Sequence, residues 1–307
     1  MRWAVIGSNS FSGKAFCSYL ELEQNEDVFR VERPAFDLNR GQEDLRMLLN
    51  RIEPHYIVNF AALSMVAQSW QRPLDWFRTN VMGMIELTDW LRQQKWLHRF
   101  VQISTPEVYG STGAALGEGA PYNPTTPYAV SRASCDMWLA TLHRAYGFPV
   151  LFTRTVNVYG PGQQLYRIIP KTIMCILPGQ NHKLDGGGVS TRSFIHIDDV
   201  CCATYLTAME GRAGMCYHSS TDRQISIRDL VALICNKMGA HYHDVVEESP
   251  ERLGKDMNYQ LDSTLIRREL GWSDAVKLED GIDEVIKWVT ENYATLKTQS
   301  QVYEHRP

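Results

Sequence analysis

Short runs of consecutive hydrophobic residues alternate with longer amphipathic stretches along the first half of the chain. The hydrophobic runs lie at residues 3–6, 57–60, 100–103 and 150–153. The amphipathic stretches lie at residues 14–22, 77–91 and 128–146. Apolar runs of this length are typical of strands buried on both faces, with helices between them covering a parallel sheet. The pattern therefore predicts an α/β fold with a doubly wound parallel sheet of the Rossmann type.

The character of the sequence changes after the segment YGPG at residues 159–162, beyond which prolines and glycines interrupt the chain. Residues 193–199 resemble a late strand, which we expect to return to the main sheet. Two later helices and a polar, frayed end would form a smaller C-terminal α/β lobe. The predicted division is a first domain of residues 1–161, completed by residues 190–210, and a lobe of residues 162–189 and 211–307.

Composition excludes several classes of function. The 307 residues carry a formal net charge of −4, which argues against a nucleic-acid binder that relies on a basic surface. No hydrophobic run reaches the roughly 18 residues of a membrane span. Seven cysteines without a CxxC pair indicate thiols of a reducing compartment, and the strand at the first residues leaves no room for a signal peptide. We expect a cytoplasmic protein with no metal, nucleic-acid or membrane partner.

A glycine-containing segment, GSNSFSG at residues 7–13, follows the first predicted strand and opens a helix. This is the context of a dinucleotide-binding loop, in which the pyrophosphate lies over the helix N-terminus. Gly7 permits the tight turn and Gly13 lets the helix approach the strand closely, whereas Ser10 replaces the middle glycine. We expect Gly7, Ser10, Phe11 and Gly13 to contact NAD or NADP.

Two neighbouring residues after the second strand favour different cofactors. Glu32 suits the ribose diol of NAD, whereas Arg33 would hold the 2′-phosphate of NADP, so both cofactors stay open. Small residues after the next strand would let a cofactor lie close to the backbone. The further candidates for this site are Asp37, Leu38, Ala61 and Ala62.

Two segments carry the candidate chemistry. The first, STPEVYG at residues 104–110, brings Thr105 and Glu107 together where a hydrophobic strand ends. In the second, Tyr128 and Arg132 are four residues apart and share one face of a helix. A hydroxyl, a carboxylate and a phenol beside a dinucleotide site indicate redox chemistry on a hydroxylated substrate.

These segments occur in the order of a known superfamily. The matching blocks are GSNSFSG (7–13), NFAA (59–62), STPEVYG (104–110), YAVSR (128–132), RTVNVYGP (154–161) and RSFIH (192–196). The chain resembles the extended short-chain dehydrogenases/reductases, and among them the nucleotide-sugar 4,6-dehydratases of the dTDP-glucose and GDP-mannose types.

The resemblance implies how these residues would act on a nucleotide-activated hexose. Tyr128 would take the proton of the sugar 4-hydroxyl as C4 is oxidised, and Thr105 would hydrogen-bond the same oxygen. Glu107 would remove the proton from C5, and water would leave from C6. The hydride taken from C4 would then return to C6, so that the product is a 4-keto-6-deoxyhexose.

Two positions depart from the family pattern. Pro106 stands where the dTDP type has the aspartate that protonates the departing C6 hydroxyl, so Glu107 would have to perform both proton transfers. Arg132 replaces a lysine. An arginine stays charged and can stabilise a tyrosinate and bind the nicotinamide ribose, but it is a poor proton relay. We expect altered acid–base behaviour rather than loss of the chemistry.

The resemblance also implies contacts with the nucleotide sugar. The implied residues are Ser69, Asn157, Arg167, Asp185, Arg192 and Lys255. Asp185 falls where the dTDP type has an aromatic residue, and Lys255 where it has a histidine. Because a carboxylate could accept two hydrogen bonds from guanine, the substrate class stays open among dTDP-, GDP- and other nucleotide hexoses.

In the family, the helices that correspond to residues 77–91 and 128–146 form a four-helix dimer interface. Here they carry more apolar residues than one core contact requires: Leu87, Trp90, Leu91, Cys135, Trp138, Leu139 and Leu142. We expect a homodimer, and burial of these residues within the monomer is the competing interpretation.

Two other functions stay open from the sequence. The Thr-x-Glu pair also fits an epimerase or a decarboxylase of the same superfamily. The replacements at Ser10, Pro106 and Arg132 would also suit a protein that binds NAD(P) and a nucleotide sugar without turnover. A simple binding protein, however, has no need of three reactive side chains together.

Overall fold

The computed structural model describes residues 1–33, 35–39, 41–111, 113–250, 258 and 260–305. Within these ranges the strands are β1 (Arg2–Ile6), β2 (Asp27–Val31), β3 (Tyr56–Asn59), β4 (Arg99–Ile103), β5 (Ala115–Leu116), β6 (Val150–Thr155), β7 (Asn157–Tyr159), β8 (His182–Asp185), β9 (Thr191–His196), β10 (Cys216–Ser219), β11 (Gln224–Ser226), β12 (Val246–Ser249) and β13 (Gln260–Leu261).

The helices within the same ranges are α1 (Phe11–Leu22), α2 (Glu43–Ile52), α3 (Val66–Gln71), α4 (Pro73–Phe77), α5 (Gly83–Leu91), α6 (Pro127–Tyr146), α7 (Ile168–Ile176), α8 (Ile197–Glu210), α9 (Ile227–Lys237), α10 (Tyr242–Val245), α11 (Thr264–Leu270) and α12 (Leu278–Leu296). A π-helical segment, Arg78–Met82, joins α4 to α5, and short 3₁₀ helices lie at Pro106–Tyr109 and Gly186–Gly188.

Six of the strands form one parallel sheet in the order β2-β1-β3-β4-β6-β10. The chain passes from β1 to β2 on one side and then to β3 on the other, so the strand order reverses between β1 and β3. In open α/β sheets, ligands bind outside the carboxyl ends of the strands at such a reversal. Gly7 follows β1 and Phe60 follows β3 at this point. The predicted doubly wound Rossmann-type sheet is confirmed.

Helices cover both faces of this sheet because its strands are apolar on both sides. On one face α1 and α8 pack over a cluster that includes Trp3, whose ring stacks on Tyr56 with centroids 4.4 Å apart. On the other face α2, α5 and α6 bury Leu49, Phe100 and Leu139. A further hydrophobic cluster, formed mainly by α7, α9 and α12, makes the core of the smaller lobe.

The late strand does not join the main sheet, so this part of the sequence prediction is wrong. Strand β9 instead pairs with β7 and β11 in a separate three-stranded sheet. Strand β7 begins two residues after β6 ends but lies outside the main sheet. Because β9 pairs with β7, β9 also lies outside it. Strand β10, predicted within the lobe of residues 211–307, occupies the edge beside β6. Helix α8 does lie over the main sheet.

The apolar residues expected at a dimer interface are mostly buried within the monomer, as the competing interpretation predicted. Each of the following is at most 1% exposed: Leu87, Leu91, Cys135, Leu139 and Leu142. They pack against the sheet. Trp90 and Trp138 are half-buried, and the Trp138 indole donates to the Thr88 hydroxyl at 2.9 Å.

The C-terminal end is not frayed over the residues that the structure describes. After α12 the chain brings Tyr303 edge-on to Tyr166, with ring centroids 5.7 Å apart. His305 stacks on Trp76 at 5.0 Å, and its Nε2 lies 2.9 Å from Asp75 Oδ2. This segment therefore reaches the start of α4 in the first domain.

Candidate active site

The loop after β1 has the geometry of a dinucleotide-binding turn. Gly7 has a φ of +80°, and a Cβ atom there would lie 2.7 Å from the Ala61 backbone nitrogen. A side chain is therefore excluded both by conformation and by the close approach of the segment after β3. A Cβ atom at Gly13 would lie 2.3 Å from the Gly7 carbonyl oxygen, so this position also requires glycine for close packing.

Ser10, which replaces the middle glycine, caps the helix. Its hydroxyl accepts a hydrogen bond from the Gly13 backbone N–H at 3.1 Å and donates to the Gly7 carbonyl at 2.8 Å. These bonds fix the start of α1 at Phe11. The replacement thus preserves the helix N-terminus at which a pyrophosphate binds.

A cleft opens between this loop, β2 and the segment after β3. Its lining includes Ile6, Gly7, Asn9, Ser10, Val31, Glu32, Arg33, Phe36, Asp37, Leu38, Leu45, Phe60, Ala61, Ala62, Leu63 and Thr79. Glu32 accepts a hydrogen bond from the Ser8 hydroxyl at 3.1 Å. Arg33 forms an ion pair with Asp37 at 3.0 Å. A positive-φ glycine, small residues, a helix N-terminus and a carboxylate after β2 fit a dinucleotide.

The segment of residues 104–109, which carries the candidate catalytic residues and is called the catalytic turn, follows the carboxyl end of β4. Thr105 caps the 3₁₀ helix Pro106–Tyr109, its Oγ1 accepting from the Glu107 N–H at 3.3 Å. Pro106 is the first residue of this helix, where a missing N–H costs nothing and a fixed φ is favourable. The proline that replaces the family's aspartate therefore shapes the turn that carries Glu107.

Tyr128 is the second residue of α6 and is 7% exposed. Thr126 caps this helix by accepting from the Ala129 N–H at 3.1 Å. Burial raises the pKa of the Tyr128 phenol, and the nearby charge of Glu107 raises it further. The charge of Arg132, a hydrogen bond with Thr105 and the charge of Arg167 oppose this rise. Thr105 and Glu107 therefore both lie close enough to Tyr128 to influence its phenol.

Arg132 is 3% exposed, and its guanidinium donates to the Ile103 carbonyl at the end of β4. The guanidinium of Arg132, which is larger than a lysine ammonium, is thus accommodated by a hydrogen bond to the backbone of β4. Its Nε is buried and finds no hydrogen-bond partner among the described residues. A ribose hydroxyl of a bound nucleotide would satisfy such a donor.

Four of the expected substrate residues lie on or beside β7, α7, β8 and β9, outside the main sheet. Asn157 on β7 donates to the Ser193 carbonyl at 3.2 Å, and Arg192 lies on β9, 9% exposed. Arg167 immediately precedes α7, with its guanidinium 5.6 Å from the Tyr166 ring centroid. Asp185, at the end of β8, accepts from the Ser249 hydroxyl at 2.9 Å.

Two further residues, Ser69 and Lys255, are expected from the sequence to contact the substrate. Ser69 is completely buried, and its hydroxyl donates to the Val66 carbonyl of its own helix at 2.6 Å. It has no surface to offer a sugar, so the expectation of a substrate contact is wrong. Lys255 lies outside the described residues.

Sequence reasoning missed a buried polar network directly behind the catalytic turn. Its centre is an ion pair between Asp136 and Arg154, 2.9 Å apart. The available signals were an arginine within the apolar strand β6 and an acid on the same face of α6 as Tyr128. Among the described residues, no group of three His, Cys, Asp or Glu side chains could hold a metal ion. No described helix is long and apolar enough to span a bilayer.

The sheet and its cleft define a dinucleotide-binding α/β protein of the Rossmann type, with a Thr–Glu–Tyr set at the carboxyl ends of the strands. The family model described as GDP-mannose 4,6 dehydratase matches residues 16–285, so the chain belongs to this family. A dTDP-glucose 4,6-dehydratase of Streptomyces niveus is 38% identical over 239 residues, which cover 78% of this chain and 70% of the relative.

Solved structures give the same result. The crystal structure of DesIV, a dTDP-glucose 4,6-dehydratase from Streptomyces venezuelae with NAD bound, is 30% identical with a TM-score of 0.88. The match covers 96% of this chain and 98% of that chain. A UDP-glucose 4-epimerase from Thermotoga maritima, at 24% identity, also gives a TM-score of 0.88 and covers 95% of this chain and 100% of its own. The second likeness shows the fold alone.

Proposed function

We propose that the protein is a nucleotide-sugar 4,6-dehydratase, which converts an NDP-hexose to the NDP-4-keto-6-deoxyhexose. The observation that carries the proposal is the placement of Thr105 and Glu107 directly after β4, where both influence the pKa of the buried Tyr128 phenol. Membership in the GDP-mannose 4,6 dehydratase family and the activity named for the Streptomyces relatives support it. The epimerase fold likeness supports no separate activity.

The chain's own residues account for the proton transfers. Tyr128 takes the proton of the 4-hydroxyl while Thr105 donates to or accepts from the same oxygen. A nicotinamide dinucleotide, held by the Gly7 loop and the N-terminus of α1, would supply the reversible hydride acceptor that this reaction requires. Glu107 removes the C5 proton, which the new carbonyl at C4 acidifies.

Loss of the C6 hydroxyl requires a proton, and Pro106 cannot supply one. Glu107 holds the proton just taken from C5 and passes it to the departing hydroxyl, which leaves as water. The proton first taken by Tyr128 balances the one that C5 regains at the end. One carboxyl group therefore performs both steps of the elimination.

NAD is the cofactor that the cleft favours within the proposal. Glu32 presents a carboxylate beside the end of β2, where it would accept hydrogen bonds from a ribose diol and repel a 2′-phosphate. The Arg33 guanidinium is already paired with Asp37 at 3.0 Å. Titrating the protein with NAD and with NADP tests this preference, and tighter binding of NADP would refute it.

Incubation with dTDP-glucose, GDP-mannose and UDP-glucose, followed by mass spectrometry, tests the reaction. A dehydratase gives a product lighter by one water, whereas an epimerase gives an isomer of unchanged mass. A UDP-uronate in the same panel would lose carbon dioxide if the protein were a decarboxylase. Tight binding with every sugar returned unchanged would mean a non-catalytic binding protein and would end the dehydratase proposal.

We further propose a homodimer formed through the outer face of α5, α6 and the π-helical segment before α5. Met82, Val130 and Met137 are 61%, 37% and 53% exposed there and together offer apolar surface to a second copy. A Met137→Glu variant should sediment as a monomer where the wild type sediments as a dimer. Met47→Glu is the matched control, since Met47 is 64% exposed on α2. A monomeric wild type would refute the proposal.

A further inference from the structure

A buried ion pair joins α6 to β6 behind the catalytic turn. Arg154 Nη2 lies 2.9 Å from Asp136 Oδ2, and the two side chains are 2% and 0% exposed. Burying two charges costs desolvation energy that their attraction offsets only with good geometry and additional hydrogen bonds. Stability alone therefore does not account for this pair, and its neighbours indicate a role in the site.

The acid of the pair holds the beginning of the catalytic turn. The Ser104 hydroxyl donates to the same Asp136 Oδ2 that receives Arg154, and Ser104 directly precedes Thr105. Asp136 lies two turns along α6 from Tyr128, on the face that also carries Arg132. One carboxylate oxygen thus ties the start of the turn to the helix of the candidate base.

The arginine of the pair holds the other end of the same segment. Its guanidinium donates to the hydroxyls of Tyr109 and Tyr122, and lies 4.9 Å and 4.8 Å from their ring centroids. Tyr109 is the last residue of the 3₁₀ helix that carries Glu107. The segment between Ser104 and Tyr109 is therefore fixed at both ends by one pair of charges.

The donor and the acceptor of each hydrogen bond between Arg154, Tyr109 and His218 can be assigned. The Tyr109 hydroxyl accepts from Arg154 and lies 2.9 Å from His218 Nε2. Burial, and then the charge of Arg154, lower the pKa of His218 to about 3, so its ring is neutral. Nδ1–H donates to the Leu116 carbonyl at 3.2 Å, which leaves Nε2 to accept from Tyr109.

We propose that Asp136 and Arg154 are positioning residues, which hold the catalytic turn at a fixed distance from Tyr128. The proposal rests on the proposed function, in which Glu107 and Tyr128 act on neighbouring carbons of one sugar. A displacement of about 1 Å between such groups costs about a hundredfold in rate. The reaction therefore requires a turn that is held in place at both ends, as the contacts of Asp136 and Arg154 hold it.

Two variants release one end each and leave the ion pair intact. Ser104→Ala removes the bond to Asp136, and Tyr109→Phe removes the bond to Arg154. We expect each to lower kcat about ten- to a hundredfold with KM for the nucleotide sugar unchanged. Ser104→Thr keeps a hydroxyl and should retain most of kcat. Equal losses in kcat for Ser104→Thr and Ser104→Ala would contradict the role of this bond.

Tyr217→Phe is the matched control. Tyr217 is a fully buried tyrosine on β10, and its hydroxyl accepts from the Arg212 N–H at 3.1 Å and donates to Glu269 at 3.2 Å. Removing the Tyr217 hydroxyl deletes two hydrogen bonds that lie outside the catalytic turn, so kcat should stay near the wild-type value. A control that loses kcat as strongly as Tyr109→Phe would reduce the effect to general destabilisation and overturn the proposal.

Hydrogen exchange separates this inference from the proposed function. Amide exchange over residues 104–110 should be faster in Ser104→Ala and Tyr109→Phe than in the wild type, and unchanged in Tyr217→Phe. If the wild type turns over no nucleotide sugar, the dehydratase proposal fails while exchange still reports on the clamp. Unchanged exchange in both variants would overturn the positioning role, whatever the activity.

Discussion

At the scale of single residues, the two departures from the family pattern have local physical explanations. Pro106 occupies the first position of a 3₁₀ helix, where proline is favourable, directly after the capping residue Thr105. Arg132 replaces lysine without exposure because its guanidinium binds the Ile103 carbonyl. Both residues are compatible with an intact Thr–Glu–Tyr group.

Replacing the phenol at Tyr128 tests its role as the base. Tyr128→Phe keeps the ring in its buried site but removes the hydroxyl that accepts the 4-hydroxyl proton in the proposed reaction. We expect the rate of C4 oxidation to fall by about two to four orders of magnitude, measured as single-turnover formation of reduced nicotinamide. Near-normal oxidation in a variant with unchanged thermal stability would remove Tyr128 from this role.

Replacing the carboxylate at Glu107 separates oxidation from elimination. Glu107→Gln cannot take the C5 proton, whereas Tyr128 and Thr105 remain for C4 oxidation. Reduced nicotinamide should accumulate while release of the dehydrated product falls by about two to four orders of magnitude. Product formation at the wild-type rate would show that another group is the C5 base.

At the scale of elements, helix caps and an irregular helical segment determine the positions of the site residues. Ser10 starts α1 at Phe11, earlier than the predicted residue 14. The predicted helix at 77–91 starts earlier, at Pro73, and contains the π-helical segment Arg78–Met82. Within that segment, Asn80 bonds Leu63 and the Ser131 hydroxyl. The irregular helix thus ties the cleft wall to the helix of Tyr128.

The burial of His218 on β10 predicts a dependence of stability on pH. Its pKa is 6.5 in the unfolded chain and about 3 in the fold, mainly because of burial. Below about pH 6.5 the unfolded chain binds a proton that the fold does not, so stability is complete above that pH and falls toward pH 3. This group alone should lower the free energy of unfolding by about 2 kcal/mol between about pH 7 and pH 5.

A His218→Gln variant isolates this contribution, because glutamine can accept from Tyr109 and donate to Leu116 without titrating. Urea unfolding at several pH values should give a smaller acid loss for the variant than for the wild type. His182, with a pKa of about 4 in the fold, contributes equally to both and cancels in the comparison. Parallel pH profiles would contradict the prediction.

At the scale of the whole molecule, the C-terminal segment connects the two lobes beside the candidate active site. Tyr303 packs on Tyr166, next to Arg167, while His305 contacts Trp76 and Asp75. Trp76 belongs to the same small hydrophobic cluster as Tyr128. This segment therefore reaches from Tyr166 to the hydrophobic cluster that includes Tyr128, the candidate base.

Removal of residues 300–307 should weaken substrate binding. The truncation removes two aromatic contacts of about 0.5–1.5 kcal/mol each. Because one of them holds Tyr166, the neighbour of Arg167, we expect KM for the nucleotide sugar to rise. NAD affinity should change little, since the loop at Gly7 and α1 is untouched. A chain that lacks only residues 306–307 is the control. An unchanged KM after the longer truncation would contradict a role for the segment in the site.

The sequence by itself determined the local features of this protein. Alternating apolar runs gave the Rossmann-type sheet, and the Gly7 turn, the Thr105–Glu107 pair and the Tyr128–Arg132 spacing located the candidate site. These features are readable because periodicity, glycine conformation and helix capping act over a few residues.

Only the tertiary structure decided which distant segments meet. In the structure β9 lies in a separate sheet, β10 forms an edge of the main sheet, and Ser69 is buried. It also joined Asp136 to Arg154 and folded His305 onto Trp76. Strand pairing and buried charge pairs depend on contacts between residues far apart in the chain, and the local pattern of apolar and polar residues does not specify those contacts.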